Sequence, residues 1–66
     1  MQEMTETQRR AYGIGKDAAA EGLSLLDLDA RLDWAVAEGI VPDTYEVECL
    51  ARQAHQVEQM RAEAAA

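Results

Sequence analysis

Asp27, Asp29 and Asp33 lie close enough in the chain to raise the question of a divalent-metal site. A calcium loop needs a glycine turn and a closing glutamate, and this spacing has neither. On a helix Asp27 and Asp29 point about 160° apart, so they cannot share one ion. His55 has no serine or acidic partner at a motif spacing, which makes it a residue flanking an apolar stripe rather than a catalytic base. Cys49, four residues after Tyr45, is the single cysteine, and the reading is a small, semi-buried side chain. Alone it closes no intrachain disulfide and builds no thiolate metal site. Gly13 and Gly15 sit inside a helical pattern with no strand before them, so they do not cradle phosphate. The expectation is therefore a protein without catalytic residues, metal or cofactor. What remains is binding chemistry: Trp34, Tyr12 and Tyr45 are of the types enriched at the energetic centres of interfaces.

The charge says which partner such residues would meet. The formal net charge is −7. From Asp17 to Glu48 there are nine acids (Asp17, Glu21, Asp27, Asp29, Asp33, Glu38, Asp43, Glu46 and Glu48) against Arg31 alone, while both ends are nearly balanced. That field repels phosphates and attracts basic surfaces, which disfavours direct contact with nucleic acid and favours a larger basic protein. The plainer reading of the same acids is a solvated face that keeps a small protein in solution. No run approaches the roughly 20 apolar residues of a membrane span, and Glu3 and Glu6 stand where a signal peptide would be basic. A cytoplasmic setting is expected.

Three helices have to position these groups. Thr5 and Gln8 make a capping-box pattern for a first helix over residues 6–21, ending at Gly22. Its face of Ala11, Gly15, Ala18, Ala19 and Gly22 would let another helix come close, although Gly13 and Gly15 each cost roughly 1 kcal/mol of helix propensity. It is read either as a tight contact within the chain or as a helix completed on binding. Ser24, with Asp27 three residues on, starts a second helix over residues 25–38, closed by Gly39. Leu25, Leu28, Leu32, Ala35 and Val36 form its core stripe, and Trp34 falls roughly opposite, near Asp27 and Glu38. Asp43 and Glu46 open a third helix over residues 43–63, whose Val47, Leu50, Ala54 and Val57 make one apolar face. Residues 64–66 are expected to fray. The predicted architecture is all-α: one small helical domain over residues 1–66, three helices with short connections, compact or V-shaped. A chain this short buries only about 60% of its unfolded surface, so a homodimer or another partner is a natural way to complete it.

The run Ala20-Glu21-Gly22-Leu23 at the end of a first helix, before an acidic second helix and Gly39, resembles the small antitoxins that inhibit Fic-domain toxins. Their inhibitory helix reads Ser or Thr, three residues, then Glu and Gly or Asn. Glu21 and Gly22 match its last two positions; Asp17 stands where the family has Ser or Thr, and a Leu before the Glu is missing. The resemblance implies that Glu21 enters the toxin, pairs with an active-site arginine and blocks productive ATP binding. Ala11-Tyr12, Gly15, Ala18, Gly22 and Ser24, followed by Leu28, Arg31 and Trp34, are similar to the ribosome modulation factor family over about 24 residues, with a loop deleted. Members acting on the ribosome are basic and this chain is acidic, which counts against carrying ribosome binding over.

The functional expectation is a non-enzymatic inhibitor of the antitoxin or phage anti-defence type. It would occupy a groove of a larger basic partner, with acids in place of a phosphate or nucleic-acid ligand. Glu21, Gly22, Trp34, Asp27, Asp29, Asp33, Glu38, Tyr12 and Tyr45 are the candidate contacts. The alternatives are a ribosome- or RNA-associated modulator and a self-assembly module built on the third helix.

Overall fold

The computed structural model describes residues 3–65. It is all-α, with α1 over Glu6–Ala20, α2 over Leu25–Ala37 and α3 over Tyr45–Ala65. Each start follows from a side chain that satisfies backbone N–H groups the helix itself cannot. The Thr5 hydroxyl accepts from the Gln8 N–H, and the Gln8 side chain accepts from the Thr5 N–H at 2.8 Å. Ser24 accepts from the Asp27 N–H. For α3 the capping side chain is Thr44, which accepts from the Val47 N–H, and not Asp43 as the acidic pattern suggested. α3 also runs on through Ala65, so Ala64 and Ala65 are helical where fraying was expected; Ala66 lies outside the described residues.

The two helix ends before a turn use one device. Gly22 and Gly39 have φ of 75° and 73°, a region where a side chain would be strained. At each, the next residue's N–H returns to a carbonyl five residues back, Leu23 to Ala18 and Ile40 to Ala35, both at 2.9 Å. This folds Leu23 and Ile40 back against the core.

The order of contacts gives the topology. Gln8 bonds Glu46, Gly15 abuts Ala51, and His55 reaches Leu23, so α1 and α3 run side by side in the same direction. α2 returns between their ends: Arg31 pairs with Glu21, and Arg10 donates to the Ile40 carbonyl. The closest contact is between α1 and α3. A Cβ added to Gly15 would sit 1.9 Å from the Ala51 carbonyl oxygen, so the backbones touch and only glycine fits. The face of small residues thus makes a contact within the chain. Among the described residues five of the nine buried apolar ones are alanines, Ala11, Ala18, Ala35, Ala51 and Ala54; the others are Leu28, Leu32, Val41 and Val47. Alanine permits close approach but removes little surface from water, which leaves the core thin.

Several expected core positions lie elsewhere. Leu25 is 51% exposed: a side chain in a first helical turn leans toward the preceding residues, here Gly22 to Ser24, where no helix covers it. Val57 is exposed and Leu50 only half-buried, because the Gly15 contact turns Ala51, Ala54 and His55 inward. His55 is fully buried rather than flanking, and Cys49 is exposed rather than semi-buried. Beyond His55 the remaining ten residues of α3 project past the α1–α2 turn by about 15 Å. No described helix is long and apolar enough to cross a membrane.

Candidate functional site

α1 and α2 meet along only part of their length, and the space left between them is a groove of about 480 Å³. Ile14 comes from the flank of α1, Ala30 and Ala35 from α2, and Ile40 from the turn that Gly39 makes possible. Trp34 forms one wall and is 60% exposed. Its position follows from the helix wheel: the turn of α2 that buries Leu32 and Ala35 holds Trp34 to the side, where its ring covers the groove's edge instead of the core. Asp17 and Arg31 line the groove at its polar end.

Arg31 is held there by Glu21. The two make a bidentate pair, with Nη1 to Oε2 at 2.5 Å and Nη2 to Oε1 at 2.7 Å. The hydrogen bonds from Arg31, aided by its charge, hold the Glu21 carboxyl below the ordinary value of 4.5, against a smaller opposing effect of desolvation. The same bonds raise Arg31, with Asp17 and Asp27 adding to the effect. Both side chains stay about half exposed, so the pair orients the groove's rim more than it stabilises the fold.

Asp29 and Asp33 belong to a different surface. With Asp43, Glu48, Thr44, Leu32, Val36, Pro42 and Val47 they line a cleft of about 280 Å³ between α2 and the start of α3. Arg52 lies across Asp29 and Glu48, at 3.2 and 3.0 Å, and neutralises part of it. Among the described residues no cluster of His, Cys, Asp or Glu has the arrangement of a metal site. Asp27, on α2, and Glu38, which caps its end, are exposed outside both concavities. Gly22 is the turn beneath Glu21. Tyr12 is half-buried on α1, and Tyr45, 81% exposed, stands at the start of α3, where the neighbouring Cys49 thiol raises the pKa of its hydroxyl. The three aromatic residues are therefore not one patch.

His55 is the residue whose place the sequence concealed. Its Nε2 lies 2.6 Å from the Leu23 carbonyl, and since a carbonyl only accepts, Nε2 carries the proton. This bond ties α3 to the α1–α2 turn. The available signal was the series Val47, Ala51, Ala54 and His55, which runs at helical spacing one step round from the larger apolar residues.

The chain matches no family model, no curated protein and no solved structure.

Proposed function

We propose that this protein binds and inhibits a larger protein through the Trp34 groove, meeting a basic surface in a cytoplasmic setting. The observation that carries the reading is a tryptophan left 60% exposed beside an apolar groove, on a chain of net charge −7. An apolar side chain of the partner fills the space between Ile14, Ala35 and Ile40. A neighbouring arginine or lysine stacks on the Trp34 ring and reaches Asp17, since a cation over an indole face is attracted to it. The surrounding acids steer the approach and add specificity. In the antitoxin form of the proposal, Glu21 gives up Arg31 for an arginine in the partner's active site; the exchange conserves a bidentate pair. The chain itself catalyses nothing.

The test compares the intact chain with Trp34→Ala in capture from the native lysate and in assays of the captured partner. One stoichiometric basic partner is expected, its activity falling as the chain is added. The variant should bind at least tenfold more weakly, as interface tryptophans cost about 2 kcal/mol or more on truncation. Binding should weaken with salt, because exposed charges are screened within about 8 Å at physiological ionic strength. The reading fails if Trp34→Ala melts several degrees lower while binding as before, or if ribosomal subunits are what the chain retains.

A further inference from the structure

α2 is apolar on two sides. Its inner stripe of Leu28, Leu32 and Ala35 is buried. At about 100° per residue, Leu26, Ala30, Trp34 and Ala37 fall within an arc of about 80° on the opposite side of the same helix. All four are exposed, Leu26 by 79% and Trp34 by 60%. The solvent side of a surface helix is ordinarily polar, so a helix with a second apolar stripe has a second face to bury. This outer stripe runs about 16 Å along the helix axis. Ala30 and Trp34 also line the groove, which makes stripe and groove one continuous surface.

The ionic groups beside the stripe select its occupant. By the same helical spacing Asp29 and Asp33 follow one edge, and Asp27 and Glu38 the other. The only cation of α2, Arg31, is taken by Glu21, and of these four acids Arg52 pairs with Asp29 alone. Asp27, Asp33 and Glu38 make no ion pair among the described residues. A second copy of the chain would bring the same acids against these, and phosphate groups would be repelled by them. An apolar stripe between two acidic edges is complementary to an apolar stripe between two basic ones, which is what a basic amphipathic helix presents. We infer that the outer face of α2 seats a basic amphipathic helix of the partner, lying along Leu26, Ala30, Trp34 and Ala37 with its lysines or arginines over the acids on either side. Ala30, in the middle of the stripe, lets that helix come close, while Leu26 and Trp34 pack beside it. The inference rests on docking through Trp34 and names the element of the partner that docks.

The probe is a synthetic amphipathic peptide of leucine and lysine, about 14 residues long so as to span the stripe as a helix. A lysine-only peptide of equal length is its control. Trp34 is the single tryptophan of the chain, so its emission reads occupancy. The amphipathic peptide should shift that emission to shorter wavelength and saturate at one per chain, and the lysine-only peptide should bind at least about tenfold more weakly. Leu26→Gln and Ala37→Gln remove apolar surface without altering charge, at exposed positions where a circular dichroism melt confirms the fold. Leu26→Gln should weaken binding about tenfold, and Ala37→Gln by less, in proportion to the area lost. Met60→Gln, a comparable change on the projecting end of α3, should bind as the parent does. An unshifted emission overturns the inference, as do equal binding of the two peptides and a Leu26→Gln chain that binds as tightly as the parent. Failure of the underlying reading looks different. A captured partner retained by Trp34→Ala removes that reading, whereas one released by Trp34→Ala but held fully by Leu26→Gln confines the contact to the groove and overturns this inference alone.

Discussion

The contact between α1 and α3 and the groove between α1 and α2 are built from the same helix, yet they end in opposite states. On one side Gly15 and Ala18 let α3 approach until the backbones touch, and the surface between them closes. On the other, Ile14 meets Ala35 and Ile40 across a gap that nothing fills, with Trp34 at its edge. Small residues close an interface because they allow approach; large ones hold helices apart and leave a concavity when no side chain is shaped to fill it. The stable part of this molecule is made of its smallest residues, and its largest residue faces water.

Substitution on α1 is the most direct way to break this contrast. Gly15→Ala should be the most damaging single change, because the added methyl meets the Ala51 backbone and not a movable side chain. The cost is about 3 kcal/mol or more. At roughly 4–8 °C per kcal/mol for a domain of this size, the melting temperature should fall by at least about 12 °C. An unchanged melt would mean that α1 and α3 do not touch here. Next in size is His55→Leu, which keeps volume but leaves the half-buried Leu23 carbonyl without its donor; a loss of about 1–2 kcal/mol by denaturant titration is expected. If stability holds, the bond is not what ties α3 to the turn. Smallest, and opposite in sign, is Gly13→Ala. Nothing lies within 4 Å of the added methyl, so the helix should gain about 0.5–1 kcal/mol. Two glycines two positions apart would then respond in opposite directions to the same substitution.

The helices, both glycine stops and two of the three starts were legible in the sequence, because caps and turns depend on residues within four positions of one another. Thr5 with Gln8, Ser24 with Asp27, and Gly22 and Gly39 behave as their types dictate. The third start was misplaced by one residue: Asp43 fits the acidic pattern, but Thr44 holds the bond. The face of α3 was harder. Ranking positions by hydrophobicity favours Leu50 and Val57; the structure favours Ala51 and His55, because the contact with Gly15 is set by how near the backbones come. Size, and not polarity, selected the buried face, and a histidine went in because Leu23 offered an acceptor. The groove was half legible. Trp34 was placed opposite the leucines, but its neighbours Ile14 and Ile40 come from other elements, and only the fold brings them together.

The pairing of the first helix with the last also governs when the chain can fold. The bonds that join α3 to α1 and to the turn after it link residues 32 to 38 positions apart, whereas α1 and α2 alone share little surface. Closing so large a loop is entropically costly until its contacts form, and proteins built on distant contacts fold more slowly than local ones. A growing chain ending before Ala51 therefore has two helices and no centre. The core cannot close until α3 has been synthesised.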